Sequence, residues 1–159
     1  MDQQNQLEQY NIEYQNNKLC QIVQVNNRNG TAEYTTVAVF HYDYANSDYV
    51  SSVTDYADVR YTFEYTPTVQ SGTTTARLTG IRRNTQSIVS YEYNENLISK
   101  ISDIEAGTAV EFDFSSFGDD KRVSEFREIS ANSNTGNRVS ISYTGDKSAK
   151  YQSIGDDRT

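Results

Sequence analysis

The chain has no tryptophan, one cysteine, one histidine and one proline among its 159 residues. A lone cysteine, Cys20, excludes an intrachain disulfide, and one cysteine with one histidine cannot assemble a Cys/His zinc site. Stability has to come from ordinary burial, which a chain of this length can supply as a single domain over residues 1–159. Cys20 itself reads as an inert strand residue, because a free cysteine packs as a small hydrophobe. Cationic charge is also short, with 14 Lys and Arg against 22 Asp and Glu and a formal net charge of -8. Nucleic-acid affinity rests on cations displacing counterions from phosphates, so no nucleic-acid partner is expected.

Long apolar runs are missing too. No stretch of about 18 apolar residues exists, so no membrane-spanning segment is expected. The start, Met1-Asp2-Gln3-Gln4-Asn5-Gln6, has neither the basic beginning nor the apolar core of a signal peptide. A cytosolic protein, or one whose leader lies upstream, is the expectation. Asn16-Asn17-Lys18 before Leu19-Cys20 lacks the apolar segment that a lipoprotein processing site needs. Helical periodicity is nowhere sustained over about 12 residues, which leaves strands.

What the chain does have is tyrosine. Aromatics make up 12% of it, with 13 Tyr and 6 Phe. A core built largely from tyrosine keeps its hydroxyls near a polar partner or water, and so lies near the surface. The aromatics recur in six alternating triplets: Ile12-Glu13-Tyr14, Tyr42-Asp43-Tyr44, Phe63-Glu64-Tyr65, Tyr91-Glu92-Tyr93, Phe112-Asp113-Phe114 and Ile141-Ser142-Tyr143. Tyr10, Phe40, Tyr61, Val89, Val110 and Val139 extend the same face two residues earlier. A period of two makes these strands.

A turn follows each triplet, and then an apolar pair three apart: Leu19 and Ile22, Val50 and Val53, Leu78 and Ile81, Ile98 and Ile101, Val123 and Phe126, Tyr151 and Ile154. A spacing of three puts a pair on opposite faces of a regular strand, so either a bulge restores the phase or the second face is partly covered. Ser90 to Ile101 shows the whole unit: an aromatic strand, an Asn-rich turn, and an aliphatic strand carrying Lys100. The last aromatics fall at 14, 44, 65, 93, 114 and 143, in steps of 30, 21, 28, 21 and 29 residues. The alternation points to a duplicated unit of about 50 residues, made of two hairpins.

Turn residues separate the strands at Asn26-Asn27-Arg28-Asn29-Gly30, Ser71-Gly72, Ala106-Gly107, Phe117-Gly118-Asp119-Asp120, Asn132 to Gly136 and Thr144-Gly145-Asp146. Pro67 is expected to open the longest turn, Thr66 to Thr75, where it breaks no ladder. The polar tail from Gly155 to Thr159 is expected to fray. The fold class is therefore all-β: an antiparallel up-and-down meander of about 12 strands in six hairpin repeats. Burying each apolar side chain of the aromatic rows contributes roughly 1.5 to 3 kcal/mol. The sheet is accordingly expected to curl into a soluble barrel or half-barrel, with Tyr14, Tyr65 and Tyr93 in its core. A membrane barrel is not expected, because one face is Glu, Asp, Thr and Ser rather than a lipid-facing aliphatic band.

The pattern aromatic-acid-aromatic, polar turn, then Leu/Ile-x-x-Ile resembles the tyrosine/aspartate (YD) repeats of Rhs-type β-shell proteins. It looks closer still to an envelope lipoprotein domain of unknown function in Bacteroidota, described as having a porin-like fold. Its clearest carriers are Tyr10-Asn11-Ile12-Glu13-Tyr14 with Lys18-Leu19-Cys20-Gln21-Ile22, and Tyr91 to Asn96 with Lys100-Ile101. The resemblance implies export to the envelope or beyond it and an N-terminal lipid anchor, and it supplies no activity. The residues themselves leave the cytoplasm open.

Candidate chemistry is sparse. Glu13, Asp43, Glu64, Glu92 and Asp113 form an acidic row that could do glycosidic acid/base work or hold calcium. The plainer expectation is that they pair with Lys18, Arg77, Lys100 and Arg122 across the strands. His41 and Asp43 share a face, but no serine or cysteine nucleophile sits in a recognisable elbow. Neither catalytic residues, nor metal ligands, nor cofactors are expected. Arg82-Arg83, Asp119-Asp120 and Asp156-Asp157 read as solvated charge. Tyr34, Tyr49 and Tyr56 fall off the repeat register and are the candidate ligand-binding residues, as a stacking platform for sugar or a contact patch for protein. The expected role is that of a non-enzymatic envelope or surface protein, structural or protein-interacting. The alternative is a glycan- or small-ligand-binding module using an open barrel mouth lined by tyrosines and acids. A protein or a glycan is the expected partner, and a homodimer is one assembly to test.

Overall fold

The computed structural model describes residues 9–28, 30–42, 48–70, 73–130, 136–145 and 148–154. Every regular element among them is a strand: β1 (Gln9–Gln15), β2 (Lys18–Arg28), β3 (Thr31–His41), β4 (Ser52–Asp55), β5 (Arg60–Gln70), β6 (Thr73–Arg83), β7 (Gln86–Asn94), β8 (Leu97–Asp103), β9 (Thr108–Phe117), β10 (Asp120–Ser130), β11 (Arg138–Gly145) and β12 (Ser148–Ile154). They form a 12-stranded sheet in chain order from β1 to β12, and each ladder described is antiparallel. The meander and its six hairpins are as the periodicity implies. The chain divides into two compact units, Met1–Glu64 with Ile81–Gln86, and Tyr65–Gly80 with Ser87–Thr159.

Of the barrel or half-barrel expected, the closed barrel is corrected: the sheet order ends at β1 and β12, and no ladder among the described residues joins them. Closure was expected in order to bury the aromatic rows, yet Tyr10, Ile12 and Tyr14 on β1 are 51%, 58% and 66% exposed. Tyr14 is therefore not a core residue, while Tyr65 and Tyr93 are partly buried. The burial argument overestimated the demand, because a tyrosine that meets a polar partner at its hydroxyl end tolerates incomplete cover. An open sheet of this many strands is also within the range that proteins use.

The turns follow the local chemistry. Asn16 and Asn17 both adopt positive φ, 51° and 63°, as a two-residue hairpin turn between Gln15 and Lys18 demands. Asparagine tolerates that region, and so fills the place where glycine is the usual choice. Between β4 and β5 the Asp55 carboxylate accepts the amides of Ala57 and Val59, both at 2.9 Å, and Asp58 takes φ of 60°.

Pro67 is corrected as well: it lies inside β5, whose ladder with the four-residue β4 ends at Thr62. Beyond that point a missing amide hydrogen costs nothing on the β4 side. On the β6 side the hydroxyls of Thr68 and Thr75 meet at 2.9 Å.

Register decides the faces, because residues opposite one another across a ladder share a face. In β1–β2, Glu13 faces Gln21 and Tyr14 faces Leu19, so Cys20 is an extra residue. In β7–β8, Glu92 faces Lys100 and Tyr93 faces Ile98, which leaves Ser99 extra. In β9–β10, Asp113 faces Glu125 and Phe114 faces Val123, which leaves Ser124 extra. Each skip falls between two apolar residues spaced by three, and returns both to the aromatic face.

In the first unit the deepest burial is on the other face. Val23 and Val25, the buried hydrophobic side chains among the described residues, lie opposite Asn11 and Gln9, on the face of Glu13. A shift between Ile22 and Val23 in the β2–β3 ladder places Thr36 and Tyr34 beside them. The second unit keeps a cleaner division. Tyr91, Ile101, Val110, Phe112, Phe126 and Val139 follow one another across β7 to β11 on one face, and Glu92, Lys100, Glu111, Arg127 and Glu125 lie on the other.

Candidate functional site

Tyrosine hydroxyls latch the sheet at three equivalent places. Tyr42 donates to the carbonyl of Leu19 at 3.3 Å, Tyr93 to that of Leu78 at 2.7 Å, and Tyr143 to that of Val123 at 2.9 Å. In each case the residue before the accepting carbonyl is a cation lying over the same ring. Lys18 Nζ is 5.1 Å from the Tyr42 centroid, and the guanidinium carbons of Arg77 and Arg122 are each 5.2 Å from Tyr93 and Tyr143. Arg122 also covers Phe117 at 4.0 Å, and the Phe117 and Tyr143 rings are 5.8 Å apart. Cation and hydroxyl together complete an aromatic side chain that is only partly buried.

Three of the four basic residues expected to pair with the acidic row therefore stack on aromatic rings. Lys100 keeps the expected role, lying 3.7 Å from Glu92 and 3.5 Å from Glu111. Glu64 pairs with Arg82 at 2.7 Å, so Arg82 is not merely solvated charge. Glu13 accepts a hydrogen bond from Gln21, Asp113 faces Glu125 across the ladder, and Asp43 lies outside the described residues.

From Lys100 the charges continue across the second unit. Arg127 lies 4.0 Å from Glu111 and 3.6 Å from Glu125, and Arg138 reaches Glu125 at 2.7 Å, donating to both carboxylate oxygens. The strip Glu92–Lys100–Glu111–Arg127–Glu125–Arg138 thus crosses five strands with nearly alternating sign. Repeat alignment could not show it, because Glu111, Glu125, Arg127 and Arg138 lie outside the aromatic triplets. The signal was in the alternate positions of β9 and β10.

The turn between β7 and β8 is held from both sides. Arg77 donates to the Glu95 carbonyl and to the side-chain oxygen of Asn96, and Lys121 pairs with the Glu95 carboxylate at 2.6 Å. The Lys121 hydrogen bond and charge hold the Glu95 carboxyl below its ordinary 4.5.

A polar cluster joins β3, β4 and β5. Ser52, fully buried, accepts from Arg60 Nε at 3.0 Å, and His41 Nε2 lies 3.3 Å from the Thr54 hydroxyl. A serine held in this way has no access to a substrate. The His41–Asp43 relationship lies outside the described residues. Among those residues no group of three or more His, Cys, Asp or Glu side chains is placed to hold a metal ion.

Tyr34, Tyr49 and Tyr56 are exposed, at 68%, 44% and 78%. They stand on separate elements: β3, the segment before β4, and the β4–β5 turn. A depression of about 490 Å³ lies elsewhere, lined by Thr108, Val110, Glu128, Ile129, Gly136 and Asn137 among others. Gly136 is obligatory there, because an added Cβ would fall 1.2 Å from the Glu128 carbonyl oxygen.

No helix among the described residues is long and apolar enough to cross a membrane. Comparison with protein-family models finds no match, and comparison with curated proteins finds none either.

Proposed function

We propose that this chain is a non-enzymatic β-sheet protein of the cell envelope or cell surface with a structural or protein-interaction role. The observation that supports it most is the edge strand β1, which offers Tyr10, Ile12 and Tyr14 in a row, each more than half exposed. Exposed apolar rows on an open edge attract protein partners. The groups best suited to chemistry are already engaged, Ser52 with Arg60, His41 with Thr54, and Glu92, Glu111 and Glu125 with cations. Placement in the envelope rests on the resemblance of the aromatic-acid-aromatic repeats to the lipoprotein domain.

A photoreactive residue in place of Ile12, compared with one in place of Glu111 on the charged face, tests the proposal in the native host. Protein adducts confined to the Ile12 variant are expected. No adduct at Ile12, together with a melting temperature raised by a glycan, would favour the second reading. That reading assigns sugar stacking to Tyr34, Tyr49 and Tyr56 and is favoured by their exposure. Its signature is a ligand-induced shift that disappears in Tyr34→Ala and Tyr56→Ala.

A further inference from the structure

The sheet is three copies of a four-strand unit: β1 to β4, β5 to β8 and β9 to β12. Latched tyrosines lie in the third strand of each unit or, for Tyr42, immediately after it, at 42, 93 and 143, in steps of 51 and 50 residues. Within the chain, the fourth strand of one unit pairs antiparallel with the first strand of the next: β4 with β5, and β8 with β9. The fourth strand of the last unit, β12, and the first strand of the first, β1, are the two ends of the order.

We infer that β12 of one copy pairs antiparallel with β1 of a second copy, extending head to tail the same junction that the chain makes twice internally. The proposal rests on the interaction role above and names its partner. The internal junctions also supply the register. Tyr61, opposite Val53, and Val110, opposite Ile101, hold the same place in their units as Tyr10, each lying two residues before the first residue of its triplet. Ile101 faces Tyr91 across β7–β8 as Tyr151 faces Ile141 across β11–β12, so Tyr151 takes the place of Ile101. Tyr151 of one copy therefore lies opposite Tyr10 of the next, and Lys150 opposite Asn11.

Three observations suit these two edges to each other. Tyr10 and Tyr151 are 51% and 72% exposed, and their rings would form a cross-strand aromatic pair. The only charge on β1 is Glu13 and the only charge on β12 is Lys150, of opposite sign and diagonal in this register. The edge of β1 also carries no lysine or proline, the residues that usually blunt an open strand. Twelve strands is an even number, so the next copy enters with its own β1 running in the same direction as the first. The contact is heterologous and builds rings or open chains rather than a two-fold dimer.

The test uses the full chain with Cys20→Ser, a change that keeps a donor for the Glu13 carbonyl now contacted by Cys20. Tyr10→Cys and Tyr151→Cys variants are prepared separately and treated with a short bis-thiol cross-linker, alone and mixed. Many-fold more covalent dimer is expected in the mixture than with either variant alone, together with mass that grows with concentration over roughly the μM to mM range. The unsubstituted protein should lose that growth when Tyr10 and Ile12 are both replaced by lysine, with its far-ultraviolet circular dichroism unchanged. A monomer throughout, equal cross-linking in every mixture, or an intrachain link in the Tyr10→Cys/Tyr151→Cys double variant would each overturn the pairing. An Ile12 photo-adduct that contains another protein but never a second copy would also overturn it, while leaving the interaction role standing.

Discussion

At the scale of single residues, the tyrosines act through both ends. Tyr143 places its ring under Arg122 and its hydroxyl on the Val123 carbonyl, so Tyr143→Phe keeps the stacking and loses one hydrogen bond. The expected cost is about 0.5 to 1.5 kcal/mol, read from urea denaturation, and the same change at exposed Tyr56 should cost less. Glu95 offers a pH test. Its carboxyl is depressed by Lys121, so the pair contributes stability above the ordinary carboxylate value of 4.5 and loses it as pH falls through the depressed value. A carboxyl-carbon NMR titration should find the Glu95 midpoint below 4.5, and in Lys121→Ala it should return upward. These residue roles were only partly legible in advance. The need of a tyrosine hydroxyl for a partner could be read from composition. That Lys18, Arg77 and Arg122 would cover rings could not, because stacking and ion pairing both ask for a cation at the same place beside an aliphatic residue.

At the scale of strands and hairpins, the skipped residue is what makes the pattern work. The pairs Leu19/Ile22, Ile98/Ile101 and Val123/Phe126 share one face only because an extra residue falls between their members, and Cys20, Ser99 and Ser124 supply it. Deleting Ser124 should send either Val123 or Phe126 to the charged face. At roughly 1.5 to 3 kcal/mol for each apolar side chain turned outward, the urea midpoint should fall well below that of Ser124→Ala. The charged strip is a second property of strands rather than of residues. Arg138→Ala should cost about 1 kcal/mol at low ionic strength, and less in 1 M salt, because the Arg138–Glu125 pair is partly exposed and screened. The strip escaped sequence reasoning because it depends on register between strands, and register follows from the skips and the turns together.

At the scale of the whole chain, strand number, antiparallel order and the unit of about 50 residues were legible from the aromatic spacing. Closure was not, because it depends on whether β1 and β12 meet, and a strand that ends a sheet has the same alternation as one inside it. Tyr34, Tyr49 and Tyr56, singled out by their departure from the repeat register, are exposed and stand on separate elements.

The whole description rests on one antiparallel order interrupted at defined positions, Cys20, Ser99 and Ser124 among them. The most direct test is a map of Hα–Hα NMR contacts between neighbouring strands. Close approach of the backbones is expected at Ile12 and Ile22, Tyr91 and Ile101, and Phe112 and Phe126, with Cys20, Ser99 and Ser124 passed over. An uninterrupted ladder through those three residues, or contacts linking strands out of chain order, would contradict it.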